Sequence, residues 1–299
     1  MIAIDWGTSS FRAYRLDAAG TVREQRSADA GLLTCNGAFE AVLAQQLAGW
    51  GDTPIVMAGM IGSRNGWHEV PYVACPAGLA QIAAGMREVS AAMLPGQRVW
   101  IAPGLVLRPA DAPPEVMRGE ETQILGLIDQ LHADGPQWLC LPGTHSKWVQ
   151  VEAGRIGSLR TAMTGELYAL LRRHSLLAAL MPESRDADVD DVEAFERGVA
   201  ASAGAGGLTH HLFGVRTQGL FGALNPAQAP SYLSGLLIGH ELRGLLPPDP
   251  PAVHLIGGTA LLRRYERALE QLGIASQSHG EALSARGLFR LALARGLAA

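Results

Sequence analysis

The sequence predicts an α/β protein built from two similar halves, and three observations carry that prediction. A short Gly-Thr loop pattern occurs twice, each copy follows an apolar run and continues as extended segments around a Gly turn, and residues with helical apolar spacing come after each copy. The first copy is IAIDWGTSSFRAYRLDAAGTVREQRSA, Ile2 to Ala28, and the second is LCLPGTHSKWVQVEAGRIGSLRTA, Leu139 to Ala162. Gly7-Thr8 and Gly143-Thr144 break the strands, Ser10 and Ser146 follow, and Gly20 and Gly154 mark the turns. A Gly-Thr turn offers unhindered backbone N–H groups and a hydroxyl, which suits a phosphate oxygen approaching the main chain. Two such turns suit one polyphosphate clamped from both sides.

The elements follow in order. A helix is expected over Phe39 to Trp50, with Phe39, Val42, Leu43 and Leu47 on one face. Pro54 introduces a strand, IVMAGM, that ends in the polar loop IGSRNGW, Ile61 to Trp67. A strand over Arg98 to Leu105 leads through the Pro-rich PADAPPE to MRGEETQ, and a helix starts at Glu120 and stops at Asp134-Gly135-Pro136. The second half repeats the plan, with a strand at Trp138 to Leu141 and a long helix from Gly165 through Met181. The acidic run Glu183 to Glu193 reads as a solvated loop and a helix start, because its aspartates lack metal-ligand spacing. His210-His211, beside a Gly-rich stretch, reads as loop. A buried helix over Tyr232 to Leu246, a strand from Val253 to Gly257, a turn at Gly257-Gly258-Thr259, a helix from Leu261 to Leu272 and a closing amphipathic helix complete the chain.

Bulk properties exclude several classes. The 299 residues suffice for one large or two medium domains, and 48% apolar content supplies their cores. A formal net charge of −4 gives no general attraction to nucleic acid or anionic membrane. No N-terminal targeting pattern and no apolar run of spanning length are present, so a soluble cytoplasmic protein is expected. Cys35, Cys75 and Cys140 are odd in number and widely spaced, which argues for free thiols in a reducing compartment. Lys147 is the single lysine beside twenty-three arginines, and it lies in the second Gly-Thr loop. Lysine is a compact point charge for phosphate, whereas arginine is a wide planar fork.

The segments IDWGTSSFRAY, MRGEETQILG, LPGTHSKWVQV, LIGGTALL and ARGLFRLA resemble, in order, the motifs of the actin, hexokinase and Hsp70 superfamily. Within it, GMIGSRNGWHEVPYVACPAG, MRGEETQ, LPGTHSKWV, MTGELYALLRRHS and YLSGLLIG are similar to segments of the 2-dehydro-3-deoxygalactonokinases. The resemblance implies two ribonuclease H-like domains with an actin-like, hexokinase-like ATPase fold and a nucleotide cleft between them. It places an N-terminal domain with substrate loop and connecting helix over 1–134 and a nucleotide domain over 135–299, whose last helix, about 280–299, packs back towards the first. It also implies ATP-dependent phosphorylation of 2-dehydro-3-deoxy-D-galactonate to the 6-phosphate in galactonate breakdown. Another sugar or sugar-acid kinase is the alternative, and a non-catalytic actin-like ATP-binding protein stands further off. The partners are then ATP, Mg²⁺ and a small sugar acid; the oligomeric state, a homodimer among the candidates, stays open.

The site residues follow from both readings. Asp5 ends the first strand, where it suits Mg²⁺ held through water beside the phosphates. Gly7, Thr8 and Ser9 supply phosphate donors from the first half, and Gly143, Thr144, Ser146 and Lys147 from the second. Gly257 and Gly258 let adenosine lie against a helix start. A hydroxyl attacking ATP benefits from a carboxylate that takes its proton. Glu120 and Glu121 open the connecting helix where the resemblance implies the aspartate of sugar kinases, one methylene shorter, so Glu121, with Glu120 in reserve, is the candidate base. Arg64 in its Gly-flanked loop is the expected reader of the substrate carboxylate, with Arg12 and Arg118 as alternatives.

Overall fold

The structure is a computed structural model that describes residues 1–131, 135–182, 191–280 and 282–298. The first stretch runs β1 (Ile2–Trp6), β2 (Phe11–Leu16), β3 (Val22–Ala28), α1 (Leu32–Cys35), α2 (Phe39–Gln46), β4 (Ile55–Gly59), β5 (Val73–Ala74), β6 (Ala77–Gly78), α3 (Leu79–Gly85), β7 (Arg87–Val89), β8 (Val99–Ile101), β9 (Leu105–Leu107), β10 (Glu115–Met117) and α4 (Glu120–Leu127). The rest runs β11 (Gln137–Leu141), β12 (Ser146–Glu152), β13 (Arg155–Ala162), α5 (Thr164–His174), α6 (Val192–Ala201), α7 (Gly207–Leu220), α8 (Ala229–Leu245), β14 (Val253–Ile256), α9 (Thr259–Gln271), β15 (Ser276–His279) and α10 (Leu283–Ala294).

The repeat seen in the sequence is a repeat in topology. One six-stranded sheet has the order β3-β2-β1-β4-β8-β7, and the other, read from its far edge, has β6-β13-β12-β11-β14-β15. Strands β13-β12-β11-β14-β15 thus repeat β3-β2-β1-β4-β8, the expected ribonuclease H-like plan in duplicate. Strand β1 pairs antiparallel with β2 and parallel with β4, which pairs parallel with β8. Likewise β14 lies parallel to both β11 and β15. The parallel strands β1, β4 and β14 are apolar and buried apart from the polar Asp5 and His254, because both faces are covered. A small sheet, β10-β9-β5, completes the set.

Two compact units are distinguished: Met1–Pro136 with Val149–Leu159 and Glu281–Ala299, and Gln137–Trp148 with Arg160–Gly280. In the first, α2 covers one sheet face, where Trp6 meets Phe11 and Phe39 edge-on at 5.0 and 6.2 Å. Helix α10 packs on α4, β1 and β4 of this unit. In the second, α8 is buried along most of its length, with α6 and α9 against it.

Several sequence expectations need correction. The helix expected to run to Met181 ends at His174, because the Ser175 hydroxyl donates to Leu171 O at 2.6 Å and accepts the Leu177 N–H at 3.0 Å, turning the chain. The strand expected over Arg98 to Leu105 divides into β8 and β9 at Pro103, which has no N–H for a ladder. His210 and His211 lie not in a loop but in α7, where Leu208, Leu212 and Val215 recur at helical spacing against the core. Residues 183–190 of the acidic run, and Asp134 of the expected helix stop, fall outside the described residues; Asp191 then caps α6, accepting the Ala194 N–H at 2.8 Å. Among the described residues no helix is long and apolar enough to cross a membrane.

Candidate active site

In open α/β sheets ligands bind beyond the carboxyl ends of parallel strands, and that edge of each sheet collects the polar residues singled out above. In the first unit β1 delivers Asp5 and the loop Gly7 to Ser10. Asp5 is partly buried; its Oδ2 lies 3.9 Å from Arg12 Nη1 and accepts from Ser284 Oγ at 3.5 Å. The Gly7 N–H donates to Ser10 O at 2.9 Å, while the carbonyls of Gly7 and Thr8 accept from Leu32 and Leu33 at 3.1 and 3.2 Å. Gly31 presses on this loop so closely that a Cβ there would stand 2.3 Å from the Ser9 carbonyl carbon. The loop is therefore braced from behind, with Thr8 and Ser9 exposed.

At the same edge β4 runs into Gly62-Ser63, and the chain from β10 enters α4 through Arg118 to Glu121. Both glutamates accept backbone N–H bonds, Glu120 from Arg118 at 3.0 Å and Glu121 from Gly119 at 2.7 Å. Their surroundings differ. Glu120 is half-buried, whereas Glu121 is fully buried with its Oε1 unpaired. Burial, and next the charge of Glu120, push the Glu121 carboxyl up to about 8. Arg118 is 8% exposed; its Nη2 donates to Val70 O at 2.8 Å, and its guanidinium carbon lies 4.3 Å from the Tyr72 ring centroid.

In the second unit the loop Pro142 to Thr144 leaves β11 beside two helix starts. The Glu166 N–H of α5 donates to Thr144 O at 2.9 Å, and a Cβ on Gly165 would come within 2.4 Å of Gly143 O. Gly257, before α9, faces Pro142 O, 3.7 Å from where its Cβ would stand. Helices of 11 and 13 residues thus open next to a Gly-Thr loop, each with backbone N–H groups directed outward. A cavity of about 50 Å³ adjoins it, lined by Gly143, Thr164, Gly165, Tyr168, Ser234 and Arg264 among others. Lys147 is 8% exposed, donates to Thr161 Oγ1 at 3.2 Å and forms no ion pair among the described residues. An ammonium with three donors and no carboxylate is suited to an anionic ligand.

Beneath this loop lies a buried polar network. Tyr265 OH donates to Glu241 Oε2 at 2.9 Å and Trp148 Nε1 to Glu241 Oε1 at 2.7 Å. Ser146 Oγ stands 2.9 Å from Tyr265 OH, whose one proton is already given to Glu241, so Ser146 is the donor. Burial raises the Glu241 carboxyl above its ordinary range, and bonds from Thr164, Trp148 and Tyr265 oppose the shift. Ser146, expected among the phosphate donors, is instead fully buried and holds the loop from below.

Comparison with known proteins adds the family. The family model described as 2-keto-3-deoxy-galactonokinase matches residues 5–291. The chain belongs to that family. The 2-dehydro-3-deoxygalactonokinase of Escherichia coli is 39% identical over 279 residues, 91% of this chain and 90% of that protein. A crystal structure of a proposed 2-dehydro-3-deoxygalactonokinase from Sinorhizobium meliloti superposes with a TM-score of 0.81 at 35% identity, covering 98% of both chains. The activator of 2-hydroxyisocaproyl-CoA dehydratase from Clostridium difficile, solved with bound ADPNP, matches at a TM-score of 0.50 and 11% identity, covering 99% of this chain and 96% of that one. That likeness concerns the fold, which is the actin-like, hexokinase-like ATPase fold.

For this member of the galactonokinase family, the strand-end edge of the first unit gathers Asp5, Ser63, Arg118, Glu120 and Glu121, and that of the second gathers Gly143, Thr144, Gly257 and Gly258. Arg64 is exposed, whereas Arg118 is buried. Sequence reasoning missed Gly31, Ser63, Gly165 and Glu241. Gly31 and Gly165 each lie three residues beyond the third strand of their repeat, Ala28 and Ala162, so aligning the copies finds them. Glu241 stands as a lone acid in the apolar run YLSGLLIGHELRGLL, which marks a buried charge needing partners.

Proposed function

We propose that the protein transfers the γ-phosphoryl group of ATP to the 6-hydroxyl of 2-dehydro-3-deoxy-D-galactonate, the sugar acid for which its relatives are named. The observation that carries the reaction class is Glu121, a fully buried carboxylate with one unpaired oxygen at the carboxyl edge of parallel strands. Phosphoryl transfer requires positioning and charge neutralisation above covalent chemistry by the protein. Unit two binds the nucleotide: Gly143, Thr144 and the start of α5 take phosphate oxygens, Lys147 neutralises their charge, and Gly257 and Gly258 leave room for the adenosine. In unit one Thr8 and Ser9 add donors; the Gly7 N–H already serves the turn to Ser10. Glu121 accepts the hydroxyl proton as the bond to phosphorus forms. Glu120 caps the turn before α4 and raises the basicity of Glu121 by its charge.

Mg²⁺ fits this arrangement. Asp5 presents a carboxylate at the strand end, and Mg²⁺ takes one or two carboxylates while keeping water and phosphate oxygens as its other ligands. Among the described residues no three His, Cys, Asp or Glu side chains gather into a metal cluster. Bound there, the metal would screen phosphate charge; Arg12, 3.9 Å from Asp5, keeps that carboxylate oriented.

The test is ADP release with ATP across a panel of keto-deoxy sugar acids and neutral hexoses, with the product's phosphate located by NMR. Turnover confined to the galactonate-derived acid, with phosphate on carbon 6, is expected. Preferential turnover of a hexose would overturn the substrate, and absence of any turnover would overturn the activity.

A further inference from the structure

Three buried side chains at the end of the first sheet hold polar atoms without hydrogen-bond partners: Ser63 Oγ, Arg118 Nε and Nη1, and Glu121 Oε1. All three residues are at most 9% exposed. Such atoms are rare in folded proteins, because each forfeits its hydration without recovering a bond. A guanidinium is the costliest to leave so, since it carries a full charge. Among the described residues Arg118 makes no ion pair, and its contacts are a single carbonyl and an aromatic face. That leaves one N–H on Nε and two on Nη1 free, three donors in one rigid plane.

These atoms are placed together by the chain. The Val70 N–H donates to Gly62 O at 3.0 Å, and Val70 O accepts Arg118 Nη2, so the turn before Ser63 and the arginine share one strap. A Cβ on Gly62 would stand 3.0 Å from Arg118 Nη1 and 2.8 Å from Ile101 Cγ2, so the bare backbone of Gly62 leaves the guanidinium its space beside this turn. Ser63 is the next residue. Tyr72 covers the guanidinium from the side, and a ring face over a partly desolvated cation stabilises it without consuming its N–H bonds.

We propose that Arg118 and Ser63, with Tyr72 as the side wall, form the recognition site for the carboxylate end of the sugar acid, and that the exposed Arg64 takes no part. This rests on the phosphotransfer reading above and names the residues that make the enzyme prefer an acid. A carboxylate supplies the charge and acceptors that Arg118 lacks, and Ser63 Oγ donates to the same carboxylate or to the keto oxygen beside it. Arg118 and Glu121 are not ion-paired, although the arginine's charge still acts on Glu121. A six-carbon acid carries its carboxylate at one end and the transferred hydroxyl at the other, so one molecule can engage both groups. Neutral hexoses leave the buried cation unpaired and are rejected for that reason.

The experiment compares Arg118→Lys, Ser63→Ala and Arg64→Ala with the parent enzyme, measuring Michaelis constants for 2-dehydro-3-deoxy-D-galactonate and for ATP separately. It also measures turnover of the acid's neutral primary amide. Arg118→Lys is expected to raise the constant for the acid by about tenfold or more, leave that for ATP within about twofold, and reduce the preference for acid over amide. Ser63→Ala removes a hydroxyl that has no partner, so it folds normally and raises the same constant about threefold to tenfold. Arg64→Ala changes neither constant. If Arg118→Lys fails to fold, Ser63→Ala and Arg64→Ala decide. A larger effect on ATP than on the acid would mean that Arg118 reads phosphate, and a rise for the acid in Arg64→Ala alone would return the role to the loop. If the parent phosphorylates the acid while Arg118→Lys and Ser63→Ala keep its constants, this assignment fails and the reaction stands. If the parent does not phosphorylate it, the reaction reading fails first.

Discussion

Gly165 lies against Gly143 so tightly that a Cβ on Gly165 would meet the Gly143 carbonyl oxygen at 2.4 Å and the Thr144 Cα at 2.9 Å. The two glycines have opposite reasons to be glycine. Around Gly143 a Cβ would meet nothing within 4 Å, so packing does not require its bare backbone. Gly165→Ala is expected to lose about 1–3 kcal/mol of stability and to raise the constant for ATP, because the obstacle is backbone and cannot swing away. Gly143→Ala is expected to retain the parent melting temperature while weakening ATP binding, because the methyl occupies the phosphate approach. Equal melting temperatures and equal ATP constants for Gly143→Ala and the parent would show that phosphate does not contact this loop.

Lys147 is tested by comparing two replacements. Lys147→Ala is expected to lower kcat by on the order of 10²-fold, the usual effect of removing one donor from developing charge. Lys147→Arg recovers only part, because a wide fork does not fit where a buried ammonium bonds Thr161 Oγ1 at 3.2 Å. Full recovery with arginine would refute a specific ammonium role.

The tracts of this fold that can be read from sequence are those whose side chains are sorted by burial. Strand β4 is apolar throughout and β1 is apolar up to Asp5 because both faces are covered, and in the second copy the buried end of β11, Leu139 to Leu141, carries the same signature. Strand β15, Ser276–His279, is polar and largely exposed, so nothing in its composition separates it from loop. Helix α7 was hidden by its Gly-rich start. At the site, position along the chain pointed to the pair Glu120 and Glu121, which open α4 after Gly119, but the complete burial that sets Glu121 apart depends on packing from distant segments. The arginines show the limit best. Arg64 sits in an open Gly-flanked loop and looks available, whereas Arg118 becomes the unpaired cation only because Val70 and Tyr72 fold over it.

The network under the second loop predicts a positioning role for Glu241. It takes bonds from Trp148, Tyr265 and Thr164, residues from three elements, and Tyr265 in turn holds Ser146. Tyr265→Phe removes the bridge to Ser146 while keeping the ring. It is expected to raise the constant for ATP severalfold with little change in that for the sugar acid. Glu241→Asp, one methylene shorter, should cost more stability but retain part of the ATP affinity. Equal changes in both constants would assign the network to general stability alone.

Asp5→Asn removes a charge and little volume. If Asp5 orients the metal with the nucleotide, turnover is expected to fall about tenfold or more, and part of it to return as Mg²⁺ is raised to millimolar excess. Turnover at parent level under limiting Mg²⁺ would dismiss that role.

Glu121 gives the last prediction, because its burial couples catalysis to stability with opposite signs. Its carboxyl is pushed from the ordinary 4.5 up to about 8 in the folded protein. The base works only when ionised, so kcat/KM for the sugar acid is expected to rise with pH through a midpoint near pH 8 and level off above it, a limb that Glu121→Gln abolishes together with most turnover. For stability the sign reverses. A carboxyl whose folded pKa lies above its unfolded value binds its proton more tightly when folded, so that contribution is present below pH 4.5 and is lost as pH rises towards 8. Glutamine never ionises. Glu121→Gln is therefore expected to melt at about the parent temperature at pH 5 and at least about 2 °C above it at pH 9, where the parent carries an unpaired buried charge. Glu120→Gln is expected to shift the limb to lower pH, because its charge is the next largest contribution to the rise, while keeping substantial turnover. A pH profile unchanged in both variants would place the proton acceptor elsewhere.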